Sequence, residues 1–146
     1  MNRLKTIAAA FLATIAVAGC ATSYQQRGFS GGFSETQLAE NVFEVRFSGN
    51  GYTSSERASD FALLRSAELS LERGFRYFVV DDNENDRQIA INTVTTSSGA
   101  NTYSTSKPGA RKVIVCFKEK PDWTGVIYEA RFVVQSIRGK YEIEPQ

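Results

Sequence analysis

The sequence predicts an α+β fold with the element order β-α-β-β-β-α: one small domain in which a three- or four-stranded sheet packs on one long helix and a C-terminal helix. Three observations predict it. Residues 42–47 alternate between apolar and polar side chains, as a half-buried strand does. Residues 53–74 carry helix start and stop signals. Residues 112–118 have a continuous apolar centre between lysines, which is typical of a strand covered on both faces.

The long helix is bounded by Thr53 and Gly74. Thr53 followed by Glu56 forms a capping box with Thr53 as the N-cap, and Gly74 is a common residue just beyond a helix C-terminus. Charged side chains share one arc of this helix with Phe61. The opposite, broad face is small and apolar: Ala58, Ser59, Ala62, Leu63, Leu64, Ser66, Ala67, Leu69, Ser70 and Leu71. A face of this kind favours close packing on a sheet, while a row of serines is also compatible with the lining of a site.

The segments after the helix predict further strands. Residues 75–80 form a second strand, and a strand-helix-strand order suggests a right-handed crossover between parallel strands. Residues 81–86 form an acidic turn, and the β-branched residues of 88–96 favour a third strand. Residues 97–110 are rich in Ser, Thr, Gly and Asn, which predicts a long mobile loop.

The C-terminal segment is ambiguous. Residues 126–138 fit both a helical apolar stripe and a strand-like alternation. Pro121-Asp122 is typical of a helix start and residues 138–140 of a helix end, so we favour a helix between them.

The N-terminus predicts a signal peptide over residues 1–19. Arg3 and Lys5 form a short basic segment, and residues 7–18 follow without a charge. That run is too short to cross a bilayer as a helix and has the length of a signal-peptide core.

The signal peptide ends in Val17-Ala18-Gly19-Cys20, which resembles the bacterial lipobox. The resemblance implies cleavage between Gly19 and Cys20, a diacylglycerol on the Cys20 sulfur and an acylated amino group, with palmitate-type chains. Two or three chains give a stable anchor. In such lipoproteins an Asp after the cysteine favours the inner membrane, so Ala21 implies the outer membrane, facing the periplasm. Plain secretion with a disulfide from Cys20 to Cys116 is the alternative.

The chain therefore divides into three parts. Residues 1–19 are removed, residues 20–34 form a lipidated cysteine with a flexible tether rich in Gly, Ser and Gln, and residues 35–146 form the globular domain. Tyr24, Phe29 and Phe33 are the tether residues that are able to dock on the domain.

Composition limits the possible functions. The chain has 17 basic and 16 acidic side chains, and this near-neutral balance argues against nucleic acid as a partner. It has no histidine, which removes the usual general base and the commonest metal ligand. No catalytic motif is present, so we expect no enzyme and no cofactor.

The acidic turn is the best candidate for a metal site. Asp81, Asn83 and Asn85 alternate like the first ligands of a calcium loop. The pattern then fails, because Asp86 stands where the turn glycine belongs and Asn92 where a bidentate Glu belongs. A solvated turn is the simpler interpretation.

Two other features suggest structure more than chemistry. Gly49-Asn50-Gly51 precedes a helix N-terminus, where an anion can bind, but Ser54 stands where a dinucleotide fingerprint needs its third glycine. Cys116 lies inside an apolar strand and is expected to be a buried, inert thiol.

Residues 31–38, 50–54, 61–68 and 74–78 are similar to a family of small uncharacterised proteobacterial outer-membrane lipoproteins. The resemblance covers most of residues 20–80. It implies an envelope location and an α+β fold, and it implies no activity or catalytic residue.

Together these features predict a lipid-anchored envelope protein with a non-enzymatic binding, sensing or structural role at the periplasmic face. Its expected partners are the membrane, through the lipid, and an envelope protein: an outer-membrane protein, a peptidoglycan-associated complex or a second copy of the chain. The alternative is an enzyme or calcium-binding protein with an unrecognised site.

Overall fold

A computed structural model describes residues 20–81 and 107–144. The described elements are β1 (Gly32–Ala39), β2 (Val42–Ser48), α1 (Ser55–Glu72), β3 (Tyr77–Asp81), β4 (Gly109–Phe117), β5 (Tyr128–Glu129) and α2 (Ala130–Tyr141). The predicted α+β class is confirmed: α1 packs on the sheet and α2 packs beside α1. The predicted signal peptide, the strand predicted over 88–96 and most of the loop predicted over 97–110 lie outside the described residues, and Gly109 and Ala110 belong to β4.

The described strands form one sheet in the order β1-β2-β4-β3-β5, and every neighbouring pair is antiparallel. Strands β2 and β3, which flank α1, run in the same direction, as predicted for the strands of a crossover. They are not neighbours in the sheet, because β4 lies between them and bonds to both.

The β1 strand is an element that sequence patterning missed, since residues 32–34 were predicted to belong to the tether. It pairs with β2 along its length, from Gly32 opposite Ser48 to Ala39 opposite Val42. Its last four residues are exposed, as is usual at a sheet edge, so it lacks the clear apolar alternation of a half-buried strand.

The β4 strand is not buried on both faces, contrary to the prediction. Only Ile114 and Cys116 are fully buried, both towards the helices, and their neighbours Val113 and Val115 are half-buried. On the other face Arg111 lies opposite Arg46 and Val113 opposite Glu44 of β2, and such charged neighbours need contact with water.

The start of α1 differs from the predicted capping box. Ser54 is the N-cap, and its Oγ accepts a hydrogen bond from the Arg57 backbone N–H at 3.1 Å. Thr53 is buried instead, with its hydroxyl used by the N-terminal segment. The predicted stop is confirmed, because Gly74 follows the helix with a φ of +80°.

The small face of α1 packs on the sheet as predicted. Ser66 and Ser70 are fully buried, and their hydroxyls donate to the backbone carbonyls of Ala62 and Ser66, each at 2.8 Å. Phe61 and Arg65 are buried too, although both lie on the arc predicted to be charged. The N-terminal segment and α2 cover that arc, which the helix sequence alone does not indicate.

The C-terminal helix is confirmed, but it begins at Ala130 and ends at Tyr141. It does not start near Pro121-Asp122, because Gly125 has a φ of +136°, outside the helical region. The short strand β5 pairs with β3 before the helix begins.

Candidate functional site

The described chain begins with Cys20 on the surface, against one end of the sheet. Cys20 is exposed, and its backbone carbonyl accepts a hydrogen bond from Nδ2 of Asn50 at 2.7 Å. Asn50 follows β2 closely, so the proposed point of lipid attachment lies directly on the folded domain. We name the region formed by residues 20–31, 48–53 and 107–111 the Cys20 end.

Two threonines fasten the segment that follows Cys20. Thr22 and Thr53 are each 3% exposed. The Thr53 hydroxyl accepts from the Thr22 backbone N–H at 3.1 Å, and the Thr22 hydroxyl donates to the Ser30 carbonyl at 3.0 Å. The Asn50 backbone N–H donates to the Thr22 hydroxyl at 2.9 Å. These bonds satisfy buried polar groups that would otherwise destabilise the fold.

Tyr24 joins the same segment to the core. Its ring contacts Phe33 and Phe61 with centroids 4.9 and 5.4 Å apart. Its hydroxyl donates to Glu68, which also accepts from Arg138 at 2.6 Å. Burial, and then the Glu68 hydrogen bond, raise the pKa of Tyr24. The flexible tether predicted over 20–34 is therefore packed on the domain at Thr22 and Tyr24, because a buried aromatic ring and hydroxyl outweigh the chain entropy that Gly and Ser provide.

Gly49 permits the close approach of three segments at this end. A Cβ on Gly49 would lie 2.6 Å from the Thr53 Cβ and 2.8 Å from the Pro108 carbonyl oxygen. The Gly49 backbone N–H donates to that same carbonyl at 2.8 Å. Gly49-Asn50-Gly51 thus serves as framework: the Asn50 side chain accepts from Tyr52 and Thr53 and donates to Cys20.

A basic cavity of about 400 Å³ opens at the Cys20 end. Its cationic lining residues are Arg27, Arg46, Lys107 and Arg111, and the uncharged lining includes Phe29, Asn50 and the backbone of Gly28 and Gly31. Patterning missed this cluster, because its members come from the N-terminal segment, β2 and β4 and no local motif relates them. We name it the basic cavity.

Within the described residues, Glu44 is the carboxylate that pairs with the lining arginines of this cavity. It accepts hydrogen bonds from Nε of both Arg46 and Arg111, the latter at 2.7 Å. The hydrogen bond from Arg46, with that from Arg111, holds the pKa of Glu44 below its ordinary value against the opposing effect of burial. Arg27 and Lys107 form no ion pair with any residue in the described ranges.

The second cysteine is placed where the sequence predicts. Cys116 is 1% exposed, and its sulfur lies 3.3 Å from the Ser70 hydroxyl. Burial raises the pKa of the Cys116 thiol, with the Ser70 hydrogen bond acting in the opposite direction. Both cysteines are free, and the described structure contains no Cys20–Cys116 disulfide.

The calcium candidate is only partly described. Asp81 is the exposed last residue of β3, while Asn83 and Asn85 lie outside the described residues. Within residues 20–81 and 107–144 no group of three or more His, Cys, Asp or Glu side chains is arranged to hold a metal ion. Among the helices of those same ranges, none is long and apolar enough to cross a membrane.

Comparison with models of known protein families, with curated proteins and with solved structures finds no match. The resemblance of residues 20–80 to small proteobacterial lipoproteins therefore stays a prediction.

Proposed function

We propose that this chain is a lipid-anchored bacterial envelope protein with a non-enzymatic binding, sensing or structural role, facing the periplasm from the outer membrane. The observation that carries the proposal is the Val17-Ala18-Gly19-Cys20 motif behind an uncharged run. The two cysteines differ as the proposal requires, since Cys20 is exposed and Cys116 is buried.

Mass spectrometry of the N-terminal peptide tests the anchor. In a bacterial host we expect the peptide of the wild-type chain to begin at Cys20 and to carry diacylglycerol and an amide-linked acyl chain. Cys20→Ser abolishes the modification, and the matched Cys116→Ser variant keeps it. An unmodified Cys20, or a Cys20–Cys116 disulfide, contradicts the proposal.

Density-gradient fractionation of the envelope tests the membrane. Wild-type chain is expected with the outer membrane, since Ala21 follows Cys20. Ala21→Asp is expected to move the chain to the inner-membrane fraction, and Ala21→Ser is its matched control. Wild-type chain in the inner-membrane fraction overturns the outer-membrane assignment and leaves the lipid anchor untouched.

The binding role is tested by crosslinking in living cells. Large apolar side chains that are exposed on the described surface are natural positions for a photo-crosslinking residue: Leu38, Trp123, Val126 and Phe132. A binding module is expected to give a discrete crosslinked partner from one position and none from the others. No discrete partner from any of the four positions, under several growth conditions, counts against this role.

A further inference from the structure

The Cys20 end carries an arrangement of charge and exposed aromatic side chains that the anchor alone does not require. The basic cavity lies there, and Asn50 both lines it and holds the Cys20 carbonyl. We propose that the basic cavity binds the phosphate of an anionic lipid headgroup, so that the Cys20 end lies flat on the membrane surface. This inference rests on the proposed lipid anchor at Cys20.

The first argument is distance. The chain is fastened at Thr22, whose backbone and hydroxyl are both hydrogen-bonded in the domain. The residues between the anchor and Thr22 span at most about 7 Å when extended. A lipidated Cys20 therefore keeps the Cys20 end within reach of the headgroups, and contacts with the headgroups decide whether this end lies flat on the membrane or tilts away from it.

The second argument is charge. Four cationic side chains line the basic cavity, and the neighbouring described carboxylate, Glu44, is shared between Arg46 and Arg111. Arg27 and Lys107 have no ion-pair partner within residues 20–81 and 107–144. Guanidinium groups bind phosphate oxygens in a bidentate way, and Lys adds a point charge.

The third argument is the pair of aromatic side chains beside the cavity. Phe29 lines the cavity at the tip of the turn between Gly28 and Gly31 and is fully exposed. Tyr52 is 75% exposed, and its backbone N–H donates to the Asn50 side chain. Exposed apolar rings are costly in water, and Tyr in particular is enriched at the level of lipid headgroups.

The opposite end of the sheet has a different composition. A second cavity there is lined by Glu40 as well as by Arg73 and Lys118, so its charges are mixed. Lys118 and Lys120 are exposed just beyond the end of β4, whereas Lys107 precedes its start. They provide charge-matched controls on the far side of the same domain.

The test uses the lipidated chain reconstituted in nanodiscs of phosphatidylglycerol or phosphatidylcholine that contain a headgroup-level quencher. A fluorophore is attached at Gly51→Cys, where a Cβ meets no atom within 4 Å, or at Glu119→Cys near Lys118. The label is specific because lipid occupies the Cys20 sulfur and Cys116 is buried. In phosphatidylglycerol we expect strong quenching at position 51 and little at position 119.

The double variant Arg27→Gln/Lys107→Gln tests the cavity itself. Each cation near an anionic surface contributes about a five-fold preference, so the loss of two cations should lower the ratio of docked to undocked chain about 25-fold. Lys118→Gln/Lys120→Gln should leave that ratio unchanged. Quenching at position 51 that is insensitive to the double variant, or equal at positions 51 and 119, overturns the inference.

Two measurements keep the proposal testable if the double variant does not fold. Raising the salt to 1 M shortens the screening length from about 8 Å to 3 Å and should release the wild-type Cys20 end from phosphatidylglycerol. Inorganic phosphate and glycerophosphoglycerol, added to phosphatidylcholine discs, identify the source of the phosphate. One outcome is a saturable change in quenching at position 51 on adding either soluble anion, with equal quenching in phosphatidylglycerol and phosphatidylcholine discs. That outcome assigns the cavity to a soluble ligand and overturns the lipid assignment.

Failure of the inference and of the anchor are separable in the same experiment. Wild-type chain that stays with the discs but shows no preferred orientation overturns only the docking of the Cys20 end. Chain that separates from the discs overturns the anchor, and the inference with it.

Discussion

At each end of β2 an asparagine side chain donates a hydrogen bond to the backbone carbonyl of a cysteine, yet the two cysteines have different environments. The Cys20 carbonyl accepts from the side chain of Asn50 at 2.7 Å, and the Cys116 carbonyl accepts from the side chain of Asn41 at 2.9 Å. Cys20 is exposed and Cys116 is buried. Burial, and not the local hydrogen bond, decides which sulfur is available for chemistry.

The two ends also differ in what they hold in place. Asn41 joins β2 to β4 within the sheet, and its own carbonyl accepts from the Cys116 backbone N–H at 2.8 Å. Asn50 instead holds a segment that lies outside the sheet. The end of β2 near Asn41 is therefore part of the core framework. At the Cys20 end the N-terminal segment pairs with β1 through a single isolated bridge, between Gln26 and Phe33.

The largest expected effect comes from Phe61→Ala, which removes the ring that Tyr24 of the Cys20 end packs against. The fully buried Phe61 ring packs edge-on against Tyr24, Phe47 and Tyr141, with centroids 5.0–5.4 Å apart. We expect a loss of about 3–5 kcal/mol in the free energy of unfolding, measured by urea denaturation. Phe132→Ala, at an exposed site of α2, should stay within about 0.5 kcal/mol. A loss below about 1 kcal/mol for Phe61→Ala would show that this end is not packed as described.

A smaller effect is expected for Arg65→Met, which separates β1 from α1. The Arg65 guanidinium bonds Glu35 and Glu72 at 2.7–2.9 Å and lies over the Phe33 ring at 4.8 Å. We expect a loss of about 1–3 kcal/mol in urea denaturation, limited because both carboxylates retain contact with water. Arg131→Met, on the exposed face of α2, is the matched control and should be near neutral. Equal losses for both variants would show that the Arg65 effect comes from removing one positive charge and not from its contacts with Glu35, Glu72 and Phe33.

The two asparagines allow a direct test of the comparison. Asn41→Ala leaves the carbonyl of a buried strand residue without its side-chain donor, so we expect a loss of about 1–3 kcal/mol and faster alkylation of Cys116. Asn50→Ala removes three hydrogen bonds, of which two are exposed and one is part-buried, so we expect a loss of about 0.5–1.5 kcal/mol with Cys116 alkylation unchanged. Faster proteolysis near Thr22 should appear only in Asn50→Ala. Identical proteolysis and alkylation in the two variants would show that the ends are coupled.

The smallest expected effect concerns how the free energy of unfolding depends on acid pH through Glu44, beside the basic cavity. Because the pKa of Glu44 is lowered in the folded chain, its contribution is complete above the ordinary glutamate pKa of about 4.3 and is lost as the pH falls through the lower folded value. Glu44→Gln should remove this contribution from the pH dependence of the free energy of unfolding, and should lower that free energy by at most about 1 kcal/mol at pH 7. Glu119→Gln, at an exposed residue beyond β4, is the matched control for loss of one carboxylate. An unaltered acid slope in Glu44→Gln would contradict the assigned hydrogen bonds.

Sequence patterns predict elements whose signals are local. The helix end at Gly74, the strand β2, the burial of Cys116 and the small face of α1 follow from periodicity and backbone preference over a few residues. Patterns were less successful where a partner lies far along the chain. Thr53 has the local signature of an N-cap, yet its hydroxyl is taken by Thr22, a residue 31 positions earlier.

The amino-acid sequence by itself determined the α+β class, the C-terminal helix and the two strands with clear alternation or apolar content, because propensity and periodicity act between neighbours. It also carries the Cys20 motif on which the proposed anchor rests. Only the tertiary structure decided that β4 separates β2 from β3, that Tyr24 belongs to the core, and that Arg27 and Lys107 line one cavity. These features depend on contacts between distant segments, whose free energy appears only once the chain has closed the loops between them.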